Sequence, residues 1–170
     1  RRGRENRKPM DQIFDEIKQL VDNGTKEVTL LGQNVDSYGH DLNPKMDLSD
    51  LMHNIHDISK LLRIRFLTSH PIDMSIKLIN TIKDLPKVCK CINLPFQAGS
   101  NRILANMRRG YTRDQFLRKI DQIRNIIPDV TLTTDLIVGF PWETELDFLD
   151  SINLLKEVNF DKVHVAAYSE

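Results

Sequence analysis

Cysteine is scarce in this sequence. The 170-residue chain has two, Cys89 and Cys91, and two thiols one residue apart make no disulfide framework. A reducing cytoplasm is the natural compartment. Net charge is missing as well: 24 Lys and Arg balance 24 Asp and Glu. No global field therefore draws the chain toward nucleic acid, and any such contact needs a local patch. No apolar run approaches the ~20 residues of a membrane span, and no secretory leader is visible. The chain opens at Arg1 without a Met and closes at Glu170 in an apolar run, so both ends read as cuts through a larger protein. What is present suits a single domain over 1–170. Hydrophobic content is 40% and charged content 28%, as in ordinary soluble globular domains.

Two periods alternate along the chain. Residues 9–23 read as a helix, with Ile13, Phe14, Ile17, Leu20 and Val21 on one face and Gly24 as the stop. A short strand follows over 27–31, then a polar loop over 33–46. A helix capped by Asp47 runs over 48–60. Strand 63–68 is broken by Ser69-His70-Pro71, and a helix covers 73–84. The remaining pattern is strand 90–94, helices 99–107 and 113–126, strand 130–138, helix 144–157 and strand 162–168. Regular βα alternation predicts an α/β fold with a parallel sheet.

Parallel strands leave a doubly wound sheet or a barrel. No G-x-G-x-x-G follows the first strand, which weakens the dinucleotide-binding reading. Polar residues stand at the end of nearly every strand: Gln33 and Asn34, Thr68 and Ser69, Gln97, Asp135 nearby, and Tyr168. A site drawn from many strand ends is the habit of barrels, so the expectation is an open, incomplete one.

Several residues carry candidate chemistry. The Gln97 amide both donates and accepts, which suits sugar hydroxyls or a base edge. Gly99-Ser100 opens a helix whose free amides favour an anion, while the plainer reading is an N-cap by Ser100. Arg109 can clamp a carboxylate bidentately, or lie solvated on the surface like its neighbour Arg108. Asp135 stands in the apolar run Thr133-Thr134-Asp135-Leu136-Ile137-Val138-Gly139. A buried carboxylate needs a partner, either ribose hydroxyls or a neighbouring loop. Glu143 reads as a first-turn helix acid. Cys89 and Cys91 read as buried or half-buried thiols at the start of their strand rather than metal ligands. His70 is a candidate pocket wall. Arg1, Arg2, Arg4, Arg7 and Lys8 form a basic start, which suits RNA phosphate or a frayed, solvated terminus.

Taken together, Arg2 to Glu5, Leu30 to Gly39, Arg63 to Pro71, Leu94 to Ser100, Met107 to Thr112, Asp135 to Thr144 and Ala167 to Ser169 resemble the radical S-adenosylmethionine methylthiotransferases, most closely their MiaB-type tRNA-modifying branch. The resemblance implies a partial (β/α)6 TIM-like barrel, its first strand and its cluster loop missing from this chain. It also implies an N-terminal cluster domain and a C-terminal RNA-binding domain outside it. S-adenosylmethionine and [4Fe-4S] clusters are the implied cofactors. Cys89 and Cys91 do not match the cluster ligands, so this chain is not expected to hold a cluster, and its metal ligands are none.

By resemblance, Gly32, Gln33 and Asn34 meet the amino group of the cofactor's methionine part. Thr68 and Ser69 line the next strand end. Gln97 and Asp135 hold the ribose, and Arg109 holds the carboxylate. Gly139 lets the backbone approach the adenine, and Ser100 completes the cofactor-binding set. The family usually has Gly where Trp142 stands, so its ring is expected to crowd that turn. The Arg-Gly segment, Glu5-Asn6-Arg7, is one residue shorter than usual.

The implied activity adds a methylthio group to N6-isopentenyladenosine beside the tRNA anticodon, with tRNA as the parent protein's partner, no membrane, and a monomeric state. Two alternatives stand beside it: a ribosomal-protein aspartate or threonylcarbamoyl-adenosine as substrate, and a catalytically silent binding scaffold.

Overall fold

The computed structural model describes residues 8–32, 34–39, 46–67 and 69–169, so the Gln33 and Thr68 expectations lie outside the described residues. The chain divides into two compact units, Arg1–Leu67 with Ser75–Cys89, and Thr68–Met74 with Lys90–Glu170.

In the first unit, helix α1 (Met10–Asp22) buries Ile17 and Val21. It stops at Gly24, whose φ of +104° suits a residue without a Cβ. Strand β1 (Glu27–Leu31) pairs in parallel with β2 (Arg63–Leu67), Val28 opposite Ile64 and Leu30 opposite Phe66. The period of two is clear in β2: Ile64 and Phe66 are buried, while Arg63, Arg65 and Leu67 are exposed. Across the pair, Glu27 accepts from Arg63 Nε at 2.5 Å and Arg65 Nε at 2.7 Å. These hydrogen bonds, that from Arg65 first, lower its carboxyl pKa.

Helix α2 (Leu48–His56) opens with a capping box between Asp47 and Asp50. Lys77 Nζ bonds both carboxylates, at 2.9 and 2.6 Å. The helix ends four residues before the expected 60, because Lys87 Nζ takes the carbonyls of His56 and Ile58 at 2.6 and 2.8 Å. Helix α3 (Ile76–Asp84) starts three residues later than expected, capped by the Ser75 side chain. Within the polar 33–46 stretch, Val35–Ser37 forms a 3-10 turn, and residues 33 and 40–45 lie outside the described set.

In the second unit, strands β3 (Cys91–Asn93), β4 (Thr131–Val138) and β5 (Lys162–Ala167) lie in that order, both pairings parallel. Helices α4 (Asn101–Asn106) and α5 (Arg113–Ile126) connect β3 to β4, and α6 (Glu145–Val158) connects β4 to β5. Leu132, Thr134 and Leu136 form the buried face of β4. Phe116, Ile120 and Ile123 of α5 and Leu154 and Val158 of α6 are buried too. Phe96 stacks on Phe160 at 6.0 Å and lies 6.0 Å from Phe116. Fully burying one such side chain stabilises by about 1.5–3 kcal/mol.

The other face of the sheet is open and polar. It carries Thr133, Asp135 and Ile137 of β4, half-buried, in register with Lys162, His164 and Ala166 of β5. Among the described residues, no helix is long and apolar enough to cross a membrane.

Candidate functional site

The ladder of β3 stops at Asn93, and the chain then makes a departure that positions Gln97. Asn93 lies opposite Thr133, but Gln97 lies opposite Leu136. One extra residue is therefore accommodated on the β3 side, as in a bulge. The buried hydroxyl of Thr134 fills the gap. It donates to the Leu94 carbonyl at 2.8 Å and accepts from the Phe96 amide at 3.0 Å.

Gln97 itself has φ +68°, and the Ala98 amide donates back to the Phe96 carbonyl at 2.8 Å. This is a γ-turn of the rare, strained kind. Such a conformation costs about 1–3 kcal/mol and persists only where its surroundings enforce it. Here the Gln97 amide donates to the Asp135 carbonyl at 2.9 Å, and the Gln97 carbonyl accepts from the Ile137 amide at 3.0 Å. The residue is 9% exposed, and among the described residues its Oε1 has no hydrogen-bond partner. A buried orphan acceptor is expensive, so the turn holds an amide in readiness for something else.

Asp135 follows on the open face of β4. It is half-buried rather than enclosed, which corrects the expectation of a buried carboxylate compelled to find a partner. Among the described residues its carboxylate makes no hydrogen bond or ion pair, so its two oxygens are available to hydroxyl donors.

Arg109 is set between two residues of positive φ, Arg108 (+56°) and Gly110 (+76°). Its amide closes α4 on the Leu104 carbonyl at 3.0 Å. It is half-buried, and among the described residues its guanidinium has no carboxylate partner. Tyr111, 7% exposed, joins this segment to the turn: its hydroxyl lies 3.1 Å from the carbonyls of both Pro95 and Phe96. Burial pushes its pKa up to about 12, against the opposing field of Arg109. The His70 ring meets Tyr111 edge-on at 5.5 Å. Burial holds His70 below its ordinary value, Asp73 opposes this, and Arg109 adds to it.

Gly99 and Ser100 are fixed by α6. The Gly99 amide donates to Ser151 Oγ at 2.8 Å, and a Cβ on Gly99 would fall 2.4 Å from the Asp150 carbonyl. The Ser100 hydroxyl makes no cap to α4; it donates to Asp147 Oδ1 at 2.5 Å. Asp147 also accepts from Arg102 and from the amide and hydroxyl of Thr144. The Arg102 bond first, then Ser100 and Thr144, hold its carboxyl well below the usual range. Since α4 has six residues, its amides are weak anion holders compared with those of a long helix.

At the end of β4, Gly139 is exposed with φ +73°. Open space surrounds its Cβ position, and its amide donates to Glu143 Oε2 at 2.5 Å. Glu143 thus closes the turn instead of serving as a simple helix acid. Trp142 does not crowd that turn: its ring is 79% exposed. The conflict with the glycine-like position appears in the backbone, at φ +66°.

Ser69 is buried, its amide bonded to the Asn93 carbonyl at 3.3 Å. Gly32 is exposed and Asn34 half-buried, both in the other unit. The structure therefore joins the Gln97 backbone to that of Asp135 and sets the Ser69 backbone against Asn93 at the end of β3. Gly139 closes β4, and Arg109 is reached through Tyr111. Sequence reasoning missed Thr134, Tyr111 and Asp147. A polar residue on the buried face of β4 and a T-x-x-D box ahead of α6 were the available signals. A cavity of about 470 Å³ lies beside α1 and β1 in the first unit; Lys8 lines it, and none of the described cofactor-binding candidates does.

The model of the radical SAM superfamily matches residues 1–155. The chain belongs to that superfamily. It is 54% identical over 169 residues to a Dehalococcoides mccartyi protein named tRNA-2-methylthio-N(6)-dimethylallyladenosine synthase, covering 99% of this chain and 40% of that protein. A protein of the same name from Thermoanaerobacter pseudethanolicus is 50% identical, covering 99% and 36%. The chain thus spans well under half the length of these relatives.

Two radical SAM structures share the fold. Coproporphyrinogen III oxidase from Escherichia coli superposes with a TM-score of 0.68 at 13% identity, over 94% of this chain and 37% of that one. The methyltransferase TsrM from Kitasatospora setae, solved with cobalamin and a [4Fe-4S] cluster, gives 0.73 at 14% identity, over 94% and 31%. The parallel α/β fold agrees with a partial TIM-like barrel of this superfamily.

Membership implies S-adenosylmethionine and a [4Fe-4S] cluster in the whole enzyme. The chain's own donors answer these two groups differently. Among the described residues, an orphan amide oxygen, a free half-buried carboxylate, an unpaired guanidinium and an open glycine backbone suit the hydroxyls, carboxylate and base of S-adenosylmethionine. Two half-buried thiols one residue apart do not furnish the thiolate set of a [4Fe-4S] cluster.

Proposed function

We propose that this chain is the S-adenosylmethionine-binding part of a cytoplasmic tRNA methylthiotransferase, acting on N6-isopentenyladenosine. The relatives' shared name supports the substrate, and the strained, unpartnered Gln97 supports the site. The cofactor, once bound, supplies the carbon–sulfur bond whose reductive cleavage starts the radical chemistry, and the protein supplies orientation. Gln97 Oε1 accepts a ribose hydroxyl, and Asp135 accepts the same pair of hydroxyls from the open face of β4. Arg109 clamps the carboxylate with two parallel N–H donors. The Gly139 backbone lies along the adenine, and Ser69 and Ser100 line the approach. By the resemblance, Gly32, Gln33 and Asn34 answer the amino group of the cofactor's methionine part, and Thr68 belongs to the next strand end.

Two measurements test this reading in the full-length protein. Gln97→Ala and Arg109→Ala should each weaken S-adenosylmethionine binding at least tenfold in equilibrium dialysis. Nucleoside mass spectrometry of tRNA from a deletion strain should lose methylthio-isopentenyladenosine. Unchanged affinity removes the site. An unchanged nucleoside, with altered threonylcarbamoyl-adenosine or ribosomal-protein aspartate instead, replaces the substrate.

A further inference from the structure

We propose that Tyr111 is a positioning residue for the cofactor, its phenol enforcing the strained turn from which Gln97 projects; this rests on the reading that Gln97 faces S-adenosylmethionine. The ring and the hydroxyl do separate things. The ring fills space, tilted 30° against Phe116 at 6.3 Å and edge-on to His70 at 5.5 Å, and phenylalanine would fill the same volume. The hydroxyl instead stands 3.1 Å from two successive carbonyls, Pro95 and Phe96. These are the two peptide groups immediately before Gln97.

The Phe96 carbonyl already accepts from the Ala98 amide at 2.8 Å, the bond that defines the γ-turn. A second donor on that oxygen holds the peptide plane against relaxation toward negative φ. Relaxation would rotate the Gln97 side chain away from its present direction. Thr134 pins the turn from the β4 side through the Phe96 amide, and Tyr111 pins it from the α5 side. The phenol is a neutral donor at working pH, as any tyrosine is, and burial moves its pKa further up. Tyr111 touches no reacting atom in this account; it acts through Gln97.

The test compares Tyr111→Phe, Gln97→Ala and the double variant in the full-length protein. S-adenosylmethionine Kd is read by equilibrium dialysis and fold integrity by circular dichroism melting. Tyr111→Phe should raise Kd about fivefold to tenfold, with KM rising and kcat little changed. The double variant should bind no worse than Gln97→Ala alone, since residues acting in series are non-additive. A crystal structure of the Phe variant should show Gln97 at negative φ. If Gln97→Ala weakens binding but Tyr111→Phe only lowers the melting temperature, or the two effects add, or Gln97 keeps its positive φ, the positioning role is overturned. If Gln97→Ala leaves Kd unchanged, the site reading falls, and this inference with it.

Discussion

The Phe96 amide donates to the hydroxyl of Thr134, a side chain on the strand next door, at the point where the β3 ladder breaks off. The same hydroxyl donates to Leu94, so one oxygen replaces a stretch of regular backbone pairing. Thr134→Val keeps the shape and removes both bonds. It leaves a buried amide and a buried carbonyl unmet, and the expected destabilisation is about 2–4 kcal/mol. Urea unfolding measures it, and a loss under about 0.5 kcal/mol, the range of a neutral surface change, would show that the bulge holds without the hydroxyl.

Gly99 is fixed by contact rather than by conformation. The Cβ of alanine there would meet the Asp150 carbonyl at 2.4 Å and Ser151 Cα at 2.5 Å, backbone atoms that cannot swing aside. Gly99→Ala should destabilise by about 1–3 kcal/mol through overpacking. An unchanged melting temperature would mean that α6 shifts freely.

Asp147 ties α4 to α6, and its folded pKa lies below the ordinary 3.8. The unfolded chain therefore takes up this proton first as pH falls. The contribution to stability is whole above about pH 4 and is lost as pH drops through the folded value. Asp147→Asn should be less stable than the parent near pH 7, with the gap closing toward pH 2. A gap that stays constant across urea titrations at several pH values would refute the linkage.

His70 behaves with the same sign. Its folded pKa is held below the ordinary 6.5 by burial, with Arg109 adding to the effect. The unfolded state binds more protons between the two values, so stability falls as pH drops below about 6.5. Nitrogen–proton NMR correlation should place the His70 midpoint below the ordinary 6.5. A higher midpoint for His70 would mean that Asp73 outweighs desolvation.

Trp142 occupies a left-handed backbone position with its ring in solvent. Replacement by glycine removes about 1–2 kcal/mol of steric strain, partly offset by the greater freedom of glycine in the unfolded chain. Trp142→Gly should be neutral or stabilising by up to about 1 kcal/mol. Clear destabilisation would mean that the indole has a contact worth more than its strain.

Much of the fold was legible because it is local. The residue patterns of 63–68 and 130–138 marked strands, and the starts expected near 113 and 144 match helices capped by Thr112 and Thr144, whereas the Ser75 cap that starts α3 was not read. The end of α2 was not legible, since Lys87, which donates to the His56 carbonyl, lies 31 residues beyond it. The site divided in the same way. Gln97 and Asp135 were marked as candidates by type and position, whereas Arg109 and Gly139 rested on the resemblance. Their supports were not marked, because Thr134 acts across 38 residues on Phe96 and Ser100 reaches 47 residues to Asp147. Ser100 illustrates the cost of local reasoning: a residue placed like an N-cap spends its proton on another helix.

Trp142 is the only tryptophan in the sequence, and it already stands in water at 79% exposure. Emission from its indole should be red-shifted and readily quenched by iodide in the native protein, and should change little on denaturation. Fluorescence would report on the hinge after β4 and stay nearly blind to the melting of the aromatic core around Phe96.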